Sequence, residues 1–256
     1  MSIDADIVDY SAGLLIRYFR GGGQIGGDAP RLDRRRDLNV LRGHWAVSEP
    51  VRTLVSHLLD RPHEAQALFS FRERVGDAVA RGRIDARKTQ IYRQQTGLPS
   101  AIVSYEPTRS FNTGPNMLLA WVLREASAYT GRLSSWQGHN SPYLPIIESA
   151  QSQMRLVHRL EALRDPLKAV SLGQRPGPGA VRVAARSRRP LYRLAVDAYR
   201  LLQGIERGDE AAIERVARTA LIAPLEDWRR FELAVSLAVG EALASVSGET
   251  LNLHLL

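Results

Sequence analysis

The chain has 256 residues, a formal net charge of +8, 44% hydrophobic and 24% charged residues, and no cysteine. This is the composition of a globular protein, and it excludes disulfides, thiolate metal sites, cysteine nucleophiles and dithiol redox motifs. Reducing cytoplasm is the expected location. Apolar runs such as Met117 to Leu123 fall far short of the ~20 residues a membrane span needs, and the acidic, polar start is unlike a signal peptide.

Of the 35 basic residues only Lys88 and Lys168 are lysines. The charge is segregated. Residues 1–150 are net +4, residues 151–200 carry ten Arg and one Lys against three acids for net +8, and residues 201–256 are net −4. A local basic block attracts phosphate, although a solvated basic face or a coding bias toward Arg would leave the same trace.

Residues 7–20 are apolar-rich and read as either a strand or a short helix. Gly21 to Asp28 is a glycine-dense loop that lacks the Lys-Ser/Thr ending of a phosphate loop, so it reads as a flexible linker. Arg31, Arg34, Arg35 and Arg36 follow as a compact basic patch. Val51, Leu54, Val55, Leu58 and Leu59 have the spacing of an amphipathic helix, and Pro62 interrupts it. Ala67, Leu68, Phe71, Val75 and Val79 predict a second helix over residues 64–80, ended by Gly82.

Residues 89–103 allow a helix-turn-helix with Gly97 at the turn and Ser100 opening a recognition helix, although Arg93 stands where that motif packs a small residue. Ala101 to Tyr105 reads equally well as a strand. Asn112 or Thr113 can cap a buried apolar helix that has Pro115 in its first turn. Residues 131–145 are loop-like, and a long helix is expected over residues 146–164, stopped by Pro166. Ser171 to Gly179 breaks regular structure, and Pro190 opens a helix over 191–206. Two more helices follow, at 209–222 and 224–246, the latter with Trp228, Phe231, Val235, Ala238 and Ala242 on one face. The alternating end, residues 250–256, reads as a strand that pairs with an earlier strand or belongs to a larger assembly.

The expected fold is therefore mainly α, a helical-bundle-like architecture with a small β portion in the N-terminal half. Residues 1–135 read as a mixed α/β region and 136–256 as a helical domain with a basic loop at 171–190.

Arg182, Arg186, Arg188, Arg189 and Arg193 surround the expected helix start at Pro190 with no acid among them. They are the first candidates for phosphate contacts, which the backbone N–H groups of that helix start would reinforce. Arg34, Arg35 and Arg36 form a second candidate patch. Pairing with the acidic tail is the competing reading. Catalytic signatures are missing. The histidines at 44, 57, 63, 139, 158 and 254 have no metal-binding spacing, and no Gly-x-Ser-x-Gly elbow occurs. Restriction-type nucleases use an acid-x-Lys triplet, whereas Ala86 and Pro166 precede the two lysines by two positions. No catalytic residue, metal or cofactor is expected, and a nuclease with Gln in place of that Lys stays open.

Arg109, Phe111, Asn112, Thr113, Gly114, Pro115 and Asn116, followed by an apolar helix, resemble the Arg-x-aromatic-Asp/Asn-Thr-Pro-Glu-Asn signature of DUF2357 proteins. Those are related to McrC-like subunits of modification-dependent restriction systems. The helices around Tyr192 to Tyr199 and Trp228 to Leu233 extend the similarity over about residues 85–245. Gly114 and Pro115 depart from the family's Pro-Glu. The resemblance implies a non-catalytic helical part of a phage-defence or restriction complex, partnered by DNA and by a nuclease or motor ATPase subunit. The alternatives are a pure protein-interaction subunit and a helix-turn-helix DNA-binding regulator.

Overall fold

Helices set by apolar periodicity form most of the chain, with a three-stranded antiparallel sheet inserted in the N-terminal half and a short two-stranded pairing between Gln24–Ile25 and Leu251–Asn252. The fold is a computed structural model that describes residues 6–13, 24–25, 34–77, 79–80, 82–136, 141–172, 174–247 and 251–252. The glycine-rich loop around residues 24–25, together with Arg31, His139 and His254, lies outside the described residues.

In order, the elements are α1 (residues 6–13), β1 (Gln24–Ile25), α2 (Arg34–Ala46), α3 (Glu49–Asp60), β2 (Leu68–Asp77), β3 (Arg83–Ile84), α4 (Ala86–Thr96), β4 (Ala101–Ser110) and α5 (Gly114–Trp136). Then come α6 (Leu144–Val157), α7 (Glu161–Ala169), α8 (Pro178–Ala185), α9 (Pro190–Arg207), α10 (Glu210–Val216), a π-helical segment (Ala217–Ile222), α11 (Asp227–Ser247) and β5 (Leu251–Asn252).

Helix α5 is the axis of the fold. It is buried on most sides, as expected of a helix apolar all round, and α2, α6, α7, α8 and α9 pack against it. The main core draws on residues from both sides of position 135, from Leu41 to Ala220. Trp45 of α2 is fully buried and donates its indole N–H to the Ala198 carbonyl of α9 at 2.9 Å, which ties these two helices together.

Several expectations change. Residues 68–77 form a strand, not the second half of a helical pair. Strand β2 pairs along its full length with β4, from Leu68 opposite Ser110 to Asp77 opposite Ala101. Phe71 and Val75 of the expected helical stripe also lie on one face of a strand together with Phe69, and the long partner strand makes the extended form the better one. The helix-turn-helix is replaced by α4 followed by β4. Gly97, at φ 70°, ends α4 in the left-handed conformation, and the chain turns into a strand where a recognition helix would begin. Helix α5 runs on to Trp136, into the expected loop. The expected single helix over 146–164 is broken at residues 158–160, and Pro166 sits inside α7. There it removes one N–H, that to the Ala162 carbonyl, without ending the helix. The segment expected as a basic loop at 171–190 contains α8. At the C-terminus, β5 pairs antiparallel with β1.

The π segment lends carbonyls to side chains. His44 Nδ1 donates to Ala220 O at 2.9 Å, and the Tyr143 hydroxyl donates to Leu221 O. Burial lowers the His44 pKa to about 4, and the Ala220 hydrogen bond offsets only part of that. The unfolded chain then binds a proton near 6.5 that the fold refuses until about 4. His44 therefore makes stability fall as pH drops through that window, by up to ~1.4 kcal/mol per pH unit. Urea unfolding between pH 7 and 4 should show a shallower pH slope for His44→Gln than for the natural chain. Equal slopes would place the titrating group elsewhere.

Candidate nucleic-acid interface

Asn116 lies in the first turn of α5, where Thr113 caps the helix by accepting the Asn116 N–H on its hydroxyl at 3.3 Å. Asn116 is fully buried, so its amide must find partners inside the protein. Its Nδ2 donates to Gln66 O and to Phe111 O, each at 2.8 Å, while its Oδ1 accepts the Tyr192 hydroxyl at 2.6 Å. That hydroxyl in turn accepts the Gln66 N–H at 2.6 Å. Four segments meet in this closed network: the loop before β2, the end of β4, the start of α5 and the first turn of α9. Burial raises the Tyr192 pKa despite the Gln66 hydrogen bond and the nearby Arg189 charge, which keeps the phenol in its donating form.

The remaining motif residues serve the same junction. Phe111 is buried, and Arg109 stacks its guanidinium over the Phe111 ring at 4.6 Å. Asn112 is exposed, and its backbone N–H reaches Ser110 Oγ at 3.3 Å. Thr113 and Asn116 thus hold backbone together, and both are buried.

The arginines before Pro190 form an exposed corner between α8 and α9. Arg182 projects from α8, Arg186 and Arg188 from the turn, and Arg189 and Arg193 from the start of α9; all five are exposed. Arg189 is engaged, donating to the Glu64 carbonyl. Arg182, Arg186, Arg188 and Arg193 make no ion pair among the described residues, and no acid occurs in the sequence between Asp165 and Asp197. Several acids of the tail answer other cations. Glu206 holds both Arg42 and Arg175, Glu214 pairs with Arg218, and Asp227 with Arg230.

One expected contribution is absent. The α9 start does not offer the Leu191 N–H to a phosphate, because the Glu64 carboxylate accepts it at 3.2 Å. Burial works to raise the Glu64 carboxyl. Contact with His57, whose Nε2 lies 3.1 Å from the carboxylate, the Leu191 amide and the charge of Arg61 outweigh it and hold the group below the usual carboxylate range. Arg34, Arg35 and Arg36 form the first turn of α2, on a separate helix from the corner; their side chains are outside the described part of the structure.

Sequence reasoning missed Glu64 and Tyr192 as partners of these motifs, and no local spacing marks them, since they lie 127 and 76 positions from the groups they bind. It also missed two exposed rings, Phe69 and Phe71, on β2. Their alternation with Ser70 and Arg72 is the signal that a strand reading would have used. Comparison with protein-family models, with curated proteins and with solved structures finds no match.

The network makes a testable demand. Tyr192→Phe strands the Asn116 Oδ1 and the Gln66 N–H in the core and should cost about 1–3 kcal/mol in urea unfolding. Asn116→Ala, which orphans two carbonyls and the hydroxyl, should cost more. The double variant should lose less than the sum of the two, because the groups share one network. Strict additivity would show that the two residues act separately.

Proposed function

We propose that this chain is a non-catalytic nucleic-acid-binding subunit that holds phosphate at the α8–α9 corner. The observation that carries the reading is the set of four exposed arginines, Arg182, Arg186, Arg188 and Arg193, with no ion pair among the described residues and in a stretch of chain without acids. Guanidinium groups bind phosphate bidentately, and neighbouring cations left without protein partners are stabilised by a polyanion that relieves their mutual repulsion. On the resemblance of residues 109–116 to the DUF2357 motif, we assign this binding to a phage-defence or restriction complex, with a nuclease or motor ATPase subunit as the partner that acts on the DNA.

A second reading, a scaffold subunit that docks another protein, is favoured by α11. That helix exposes Trp228, Phe231, Val235, Val239, Leu243 and Val246, spaced three or four residues apart so that they form one apolar stripe.

Fluorescence anisotropy on duplex DNA across a salt series separates the two. Binding should weaken with salt, and Arg182→Glu, Arg186→Glu and Arg188→Glu together should weaken it further. They should also flatten the log–log salt slope by roughly 0.9 for each phosphate that the variant no longer neutralises. Arg189 is left in place because its guanidinium holds the Glu64 loop. Absent or salt-independent binding would overturn the reading. A triple variant that still copurifies with its partner subunit, from a chain that retains no DNA, would favour the scaffold.

A further inference from the structure

Strand β2 is exposed on nearly its whole length, and its outer edge has no partner strand among the described residues. Phe69 and Phe71 are 72% and 69% exposed. Two positions apart on a strand, they project from the same face with their attachment points about 7 Å apart. Directly opposite them on β4, and on that same face, stand Arg109 and Pro107, both exposed.

The ribbon divides into two halves of different character. In the far half, α4 lies against β4. Ala101 and Val103 are buried, Thr89 accepts the Val103 N–H at 2.9 Å, and Arg93 donates to Ala101 O at 2.8 Å. Two of the three acids on the strands there are answered, Glu73 by Lys88 and Glu106 by Arg74, and the third, Asp77, ends β2. Lys88 also donates to the Tyr105 hydroxyl, and these contacts raise its pKa. The root half, residues 68–72 and 107–110, is different. It carries Arg72 and Arg109, contains no acid, and leaves its two phenylalanine rings uncovered. It also adjoins the arginine corner. Gln66, two residues before β2, bonds to Tyr192 of α9, and Glu64 holds Arg189.

We infer that the root half of the β2–β4 ribbon is a base-stacking platform for single-stranded nucleic acid. Phe69 and Phe71 take successive bases, and Arg109 meets the backbone phosphate between them. Unpaired bases offer flat faces that stack on aromatic side chains whatever their identity, whereas a duplex hides those faces in its own stack. The absence of acid in this half suits a polyanion, and β2 starts beside the corner that would receive the rest of the backbone. A protein strand added to the edge of β2 would be held by backbone hydrogen bonds and would require neither the ring pair nor the charge segregation.

The inference rests on nucleic-acid binding by this chain but not on the corner arginines, so the two are tested side by side. Anisotropy with an oligo-dT strand and with a duplex is measured for the full chain, for Phe69→Ala with Phe71→Ala, for Phe69→Tyr with Phe71→Trp, and for the corner triple Glu variant. Loss of the rings should cost about tenfold in oligo-dT affinity per ring and leave duplex affinity unchanged, and the aromatic replacements should retain binding. Circular dichroism checks that the exposed substitutions leave the fold intact. Unchanged oligo-dT affinity in the alanine variant overturns the platform, as does an equal loss on both ligands. So does an effect confined to the sedimentation coefficient, which would make the rings a protein contact. A chain that binds oligo-dT through its rings yet ignores duplex would instead overturn the corner reading and leave the platform standing.

Discussion

The hydrogen bond from the Tyr192 hydroxyl to the Asn116 amide holds the rest of the architecture in register. An asparagine inside a helix apolar on nearly every side is costly unless each of its polar atoms is answered, and in a low-dielectric core every unanswered group costs more than in water. Here the answers come from four separate segments, so the core closes only when the loop before β2, the end of β4, the start of α5 and the first turn of α9 arrive together. That condition roots the ribbon against the helical body and fixes where the turn between α8 and α9 emerges. The residues resembling a family motif are thus centred on the joint between the two candidate surfaces, and of them only Arg109 reaches onto either one.

Electrostatics then divides the surface. The acids at two helix junctions hold groups that brace the fold. Glu206 draws Arg42 of α2 and Arg175 of the loop before α8 onto α9, and Glu64 fixes the start of α9 through His57, Arg61 and the Leu191 amide. What remains between α8 and α9 is a cluster of like charges with no protein partner among the described residues. Such a cluster lowers the stability of the free protein and favours association with an anion. A similar division recurs on the ribbon, where the ion pairs Lys88–Glu73 and Arg74–Glu106 lie in the half beside α4 and the acid-free half carries the exposed rings. The two surfaces differ in chemistry, guanidinium at the corner and aromatic faces on the ribbon, and they lie at adjoining ends of one joint.

Much of the helical fold was legible in the sequence. The stripe Val51, Leu54, Val55, Leu58 is buried in α3, Pro190 opens α9, and Thr113 caps α5. These features are local, since the hydrogen bonds of a helix and its caps join residues only a few positions apart, so composition over a short window decides them. Exposure of the arginine corner was legible for the same reason, because a run without apolar spacing and without acids has nothing to bury. The spacing on α11 predicts a single stripe, whereas the structure leaves Trp228, Phe231 and Val235 of that stripe in solvent and buries Ala234 and Leu237 instead.

The sequence by itself determined the mainly helical character, the breaks at Gly97 and Pro190, and the concentration of positive charge ahead of α9. The tertiary structure alone decided that residues 68–77 are a strand, because their apolar spacing fits both periods and the choice depends on pairing with β4, which lies beyond α4 in the chain. It alone decided that Glu64 occupies the helix start expected to receive phosphate, and that Tyr192 answers Asn116. Each of these is a contact between segments far apart in the chain, whose hydrogen bonds exist only after the core has closed, so no local pattern of residue types carries them.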